Sequence, residues 1–174
     1  EQKGIHEAIL AASRANKKLH ILGSHAQDQY WLQKVKPYID GVNVIYDNFI
    51  ARKELFRIIG EAQAFLAPLQ WEEPFGLMMI EALATGTPVI AFRRGSMAEI
   101  ISDGKTGFLV DTVKDMAEAI SRIGAINRAD CRYHVEERFS ISRMVDHYEE
   151  IFYSLIDKGV EKKEEGAVNN LPER

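Results

Sequence analysis

Short, nearly unbroken apolar runs alternate with helix-periodic segments along most of this chain, and no other feature restricts the fold as strongly. The runs are "KLHILG" (Lys18–Gly23), "VNVIYD" (Val42–Asp47), "AFLAPL" (Ala64–Leu69), "PVIAF" (Pro88–Phe92) and "GFLVD" (Gly107–Asp111). Between them, Gly4–Ala15, Asp28–Tyr38, Lys53–Glu61, Phe75–Thr85 and Ser96–Ser102 carry helical spacing, and Val113 to about Lys158 reads as helical throughout. Strands that are apolar on both faces belong to parallel sheets covered by helices on both sides. The predicted fold is therefore α/β: a doubly wound parallel sheet with helices on both faces, formed by residues 1–158. Residues 159–174 are too polar to join a core and are expected to be a disordered tail. The chain opens almost directly into a helix, with no strand before it, and so is expected to be part of something larger.

Composition excludes several classes of function. Its 174 residues carry a net charge of −4, without the basic surplus of a nucleic-acid groove. No apolar run approaches the roughly 20 residues of a membrane span, and no signal peptide is visible. A single cysteine, Cys131, leaves no internal disulfide. No CxxC or HxxxH spacing suggests a metal site. These features read as a cytoplasmic protein.

In doubly wound sheets, ligands bind beyond the carboxyl ends of the strands. The loops at those ends are Gly23–Gln27, Asp47–Arg52, Gln70–Gly76 and Arg93–Ser96. The third leads into "EEPFGLMMIEALATGTPVIAF" (Glu72–Phe92), where Glu73 and Glu81 stand in an otherwise apolar stretch. Pro74 suits a first helical position, which would make Glu73 the N-cap, although Glu is a poor N-cap residue. Gly76 would let a ligand approach the amides of the helix start, which favour an anion such as a diphosphate. On a continuous helix Glu81 would stand about 12 Å further along. Two carboxylates so placed suit two diols of one ligand, a hexose at Glu73 and a ribose at Glu81.

These residues resemble a known family. "EPFGLMMIEALATGTPVIA" is similar to the paired-glutamate signature of GT-B retaining glycosyltransferases, specifically glycosyltransferase family 4 (glycosyl transferases group 1). Lys3-Gly4, "LHILG" (Leu19–Gly23), "AFLAPLQWEEPFG" (Ala64–Gly76) and "GSMAEIISDGKTGFLV" (Gly95–Val110) fit in register, so the resemblance spans roughly Lys3 to Tyr153. It implies the C-terminal, donor-binding half of a GT-B fold, one of two Rossmann-like domains. The implied roles are Glu73 as the catalytic-site contact to the donor sugar, backbone amides of Phe75, Gly76 and Leu77 on the sugar and diphosphate, Glu81 on the ribose, and Lys3 on the diphosphate. Tyr46, Asp47 and Asn48 would lie beside the base, although the family often has Gly at the position of Asp47. The family's diphosphate arginine falls ahead of Glu1.

The resemblance further implies a retaining, metal-independent hexosyltransferase, with mannosyl among the candidate groups, using a GDP- or UDP-hexose and no other cofactor. The acceptor, a glycan or lipid-linked molecule, would bind through the N-terminal domain, and the chain alone would be inactive. The full-length enzyme would work in the cytoplasm or at the inner face of the membrane. A non-catalytic sugar-nucleotide-binding module and a GT-B sugar-nucleotide epimerase are the alternatives. None of the histidines matches the family's histidine near the anomeric carbon. Arg93 and Arg94 read as solvated loop residues. Trp71 either walls a sugar pocket or closes the edge of the core.

Overall fold

The computed structural model describes residues 1–24 and 28–168. The chain divides into two compact units, Glu1–Glu136 and Glu137–Arg174. The first is α/β, as the alternating pattern predicts. Its strands are β1 (Leu19–Leu22), β2 (Val44–Asp47), β3 (Phe65–Ala67), β4 (Val89–Phe92) and β5 (Gly107–Val110). Its helices are α1 (Ile5–Arg14), α2 (Arg52–Glu61), α3 (Leu77–Ala84), α4 (Met97–Ile100), α5 (Val113–Arg122) and the start of α6 (Arg128–Phe139).

All the strand pairs are parallel, but they form two sheets, β1–β2 and β3–β4–β5. In the usual doubly wound order, 3-2-1-4-5-6, the first strand lies at the centre. Among the described residues the five strands fall into two groups on either side of that position. All four residues of β4 are buried, and α3 and α5 both pack against this strand. That explains why "VIAF" contains no polar residue. α1 packs on β1 and on α5, and its buried residues Ala8, Ile9, Ala11 and Ala12 follow the helical period. Ile9 joins Trp31, Val35 and Val44 in the cluster over the smaller sheet. Burying such a side chain contributes about 1.5–3 kcal/mol.

The "GTP" following α3 is more than a helix stop. Thr87 is fully buried, and its hydroxyl donates to the Ile59 carbonyl at 2.7 Å. Arg128 donates to Ala62 O at 2.7 Å, to Gly60 O at 2.5 Å and to Thr87 Oγ1 at 2.9 Å. Carbonyls at the end of α2 thus gain donors from two residues distant in sequence.

Several expectations need correction. Asp28–Tyr38 is not one helix. It contains a π-helical turn at Trp31–Val35 and a 3₁₀ turn at Lys36–Tyr38, where Pro37 lacks the amide an α-helix requires. The Phe75–Thr85 helix begins only at Leu77, and Ser96–Ser102 shortens to Met97–Ile100. Residues 159–168, expected to be disordered, continue α7 (Ile141–Val168). In that second unit, Ile141, Met144, Tyr148, Ile151, Phe152 and Leu155 are exposed. No helix among the described residues is long and apolar enough to cross a membrane.

Candidate functional site

The loops after β2, β3 and β4 carry the residues singled out from the sequence. The β3 loop is fixed by its backbone. Gln70 N donates to Gln2 O at 2.8 Å, lacing the chain ahead of α1 to the loop. Gly4 has φ 66°, and a Cβ there would lie 1.8 Å from Pro68 O. The close approach that only glycine permits therefore delivers Lys3 to this loop. On the other side, Ser96 N donates to Glu73 O at 2.8 Å, and the Glu72 carboxylate accepts from Gly95 N. A Cβ on Gly95 would meet Glu73 O at 2.3 Å. The β3 and β4 loops thus cross in direct contact at Glu73.

Glu73 is not the N-cap of α3. Gly76 holds that position, with φ 85°. A Cβ on Gly76 would run into Ile100, Met97 and Met79. Packing beneath the turn, rather than the local preference of Pro74 for a first helical position, decides where the helix starts. Glu73 still serves the helix entrance, because its Oε1 accepts from Gly76 N at 3.3 Å. Its Oε2 stands 3.9 Å from Lys3 Nζ, with the Glu73 side chain 14% and that of Lys3 54% exposed. The same ammonium lies 5.4 Å from the centre of the Trp71 ring. Lys3, Trp71, Glu73 and Gly76 therefore form one cluster, flanked by the exposed side chains of Phe75 and Leu77.

Glu81 stands one turn into α3, and its Oε1 lies 3.5 Å from Arg52 Nη2. This contact joins α3 to the segment following β2. Tyr46, Asp47 and Asn48 end β2 and are engaged locally. The Tyr46 hydroxyl donates to Asn48 Oδ1 at 3.0 Å, and burial raises its pKa. Asp47 Oδ2 is 2.7 Å from His20 Nε2. Next to them, Phe49 is 91% exposed.

Other candidates resolve as structural. Arg93 turns to Leu109 O and Asp103. His6 and His134 bond the carbonyls of Lys34 and Ile100. Burial pushes the Cys131 thiol up to about 11, making it an unreactive core residue. His25 and most of the Gly23–Gln27 loop lie outside the described residues. Arg52 escaped the sequence reading because its partner is 29 residues away. Trp71 carried a visible signal, an aromatic two residues before Glu73, but its direction required the fold.

A parallel α/β fold with two glutamates, a lysine and a glycine-capped helix at the carboxyl ends of its strands defines a class, and comparison with solved structures agrees. The fold is that of the GT-B glycosyltransferases. Sucrose-phosphate synthase from Thermosynechococcus elongatus superposes with a TM-score of 0.72 at 27% identity, over 90% of this chain and 43% of that one. HepE from Anabaena, in complex with UDP-glucose, gives a TM-score of 0.72 at 20% identity, over 88% of this chain and 46% of that one. Residues 1–137 match the family of glycosyl transferases group 1, and the chain belongs to it. An uncharacterized 41.2 kDa protein in the cps region of Klebsiella pneumoniae is 31% identical over 163 residues, 88% of this chain and 44% of that relative. The chain thus spans less than half the length of these relatives.

Proposed function

We propose that this chain binds a nucleotide-diphospho-sugar and serves as the C-terminal, donor-binding half of a retaining hexosyltransferase of glycosyltransferase family 4. The observation that carries this reading is the Lys3–Glu73–Gly76 cluster at the entrance of α3, with Glu81 one turn further on. A diphosphate would meet the Lys3 ammonium and the free amides at the start of α3. The hexose would bond to Glu73, and the ribose diol to Glu81. As the glycosidic bond to the diphosphate breaks through an oxocarbenium-like transition state, charge grows on the leaving phosphate. Lys3 and the helix amides are disposed to stabilise it. With this cation and the helix amides on the phosphates, binding needs no divalent metal.

The complex of HepE with UDP-glucose supports this ligand class without identifying the sugar or the base for this chain. A GDP- or UDP-hexose, with mannose among the candidates, would be the donor. The acceptor, a glycan or a lipid-linked molecule, would bind to a second domain of a longer enzyme. This fits a chain that spans 43–46% of its structural relatives. Calorimetric titration of this chain with UDP-, GDP- and ADP-hexoses, in EDTA and in magnesium, tests the reading. Binding of at least one sugar nucleotide in EDTA, without sugar transfer by the isolated chain, is the expected outcome. A strict magnesium requirement, or robust transfer by this chain alone, would contradict it.

A further inference from the structure

We propose that Trp71 is the positioning residue of this site: its indole face holds the Lys3 ammonium where a donor diphosphate takes it over from Glu73. The proposal rests on the donor reading above, because it concerns how the cation reaches the phosphate.

Lys3 Nζ lies 5.4 Å from the Trp71 ring centre, inside the roughly 6 Å over which a cation is attracted to an aromatic face. It also lies 3.9 Å from Glu73 Oε2. The ammonium therefore has two neighbours of different kinds. Glu73 is charged, and it competes with an incoming diphosphate for the lysine. The indole is neutral and does not. A lysine stem is long and flexible, and this one is half exposed. Once a phosphate displaced Glu73, the ring would be the neighbour among the described residues that keeps the ammonium in place.

The backbone beneath the pair is fixed independently of these side chains. Gln70 N, one residue before Trp71, donates to Gln2 O, one residue before Lys3. Gly4 seats against Pro68 O with no room for a Cβ. Lys3 and Trp71 thus project from two adjoining, tied segments, and their proximity follows from the fold.

The indole also carries a cost. Trp71 Nε1 is buried without a hydrogen-bond partner among the described residues. Phenylalanine would fill much of the same space and leave no such donor stranded. Tryptophan has the larger, more electron-rich face and provides the strongest cation–π surface.

The test is a double-mutant cycle read by calorimetry with UDP, GDP and ADP at low salt, with thermal melts to verify folding. Trp71→Leu is expected to weaken nucleoside diphosphate binding about three- to tenfold, and Trp71→Phe less than about threefold. In a Lys3→Gln background, Trp71→Leu should change the affinity less than about twofold, because the interaction is already gone. Equal losses in both backgrounds would show that the ring acts on the ligand or the fold, and would overturn the proposal. An unchanged affinity in Trp71→Leu would overturn it too. If the parent protein binds none of the three nucleotides, the donor reading fails first, and the free protein still decides the contact. NMR of the Lys3 ε-methylene should then show an upfield ring-current shift, kept in Trp71→Phe and lost in Trp71→Leu. Absence of that shift in the parent would refute the lysine–indole contact itself.

Discussion

Arg52 reaches Glu81 from the first turn of α2, placing its Nη2 3.5 Å from Glu81 Oε1. The guanidinium is largely exposed, and an exposed pair of this kind contributes at most about 1 kcal/mol. It nevertheless covers the carboxylate to which the ribose diol is assigned. Arg52→Ala is predicted to leave the urea midpoint nearly unchanged. Nucleoside diphosphate affinity should stay the same or improve, by no more than about fivefold, because Glu81 no longer has to exchange partners. Chemical denaturation and calorimetry check the two halves of this statement, and a large loss of affinity would instead make Arg52 a ligand contact.

Gly4 and Gly41 both have a left-handed backbone, with φ 66° and 73°, but only Gly4 faces an obstacle, Pro68 O. Gly41→Ala should cost about 1 kcal/mol from backbone strain alone and leave ligand binding intact. Gly4→Ala should cost clearly more, because a Cβ 1.8 Å from a carbonyl oxygen forces α1 away from the β3 loop. Lys3 moves with it, so the variant is predicted to lose nucleotide affinity as well as stability. Paired melts and titrations of the two variants separate strain from displacement.

Thr87→Val removes one of the donors to the Ile59 carbonyl, which also accepts from Ala62 N at 3.1 Å, and one partner of Arg128. Losing a buried hydrogen bond together with a partner of the charged Arg128 guanidinium costs about 1–3 kcal/mol, so the unfolding midpoint should fall accordingly. Arg128→Ala should destabilise to a similar or greater extent, since three hydrogen bonds are lost. Because both residues serve one network, the double variant should lose less than the two single losses combined. Additive losses in urea denaturation would show that the two act separately.

Much of this architecture is written locally. The run Val89–Phe92 reads as a buried parallel strand because nothing polar interrupts it, and the structure buries all four residues. The helical period of Ile5–Ala12 selects the face of α1 that packs. What could not be read depends on distant partners. Pro74 locally favours a helix start, yet Met97 and Ile100 set the packing that makes Gly76 the cap. Thr87 looks like punctuation until Arg128, 41 residues on, meets it. The division into two sheets has no local signal either, because it depends on which strands pair. At the site, Lys3, Glu73 and Gly76 were legible as a group and come together, whereas Trp71 and Arg52 needed coordinates to show what they touch.

The two carboxylates provide the most direct test of the account. Titration of Glu73→Gln and Glu81→Gln, each with a nucleoside diphosphate and with the matching sugar nucleotide, separates their roles once folding is verified. Hydrogen bonds to a charged group contribute about 1.5–3 kcal/mol, which corresponds to roughly tenfold or more in affinity. Glu81→Gln is predicted to weaken both ligands to that extent, because both contain the ribose. Glu73→Gln is predicted not to weaken the bare diphosphate, with at most a slight gain once Lys3 has no carboxylate to leave, and to remove only the additional affinity from the hexose. If Glu73→Gln weakened the bare diphosphate as much as the sugar nucleotide, the hexose would not sit at the entrance of α3, and the assignment of this site would be wrong.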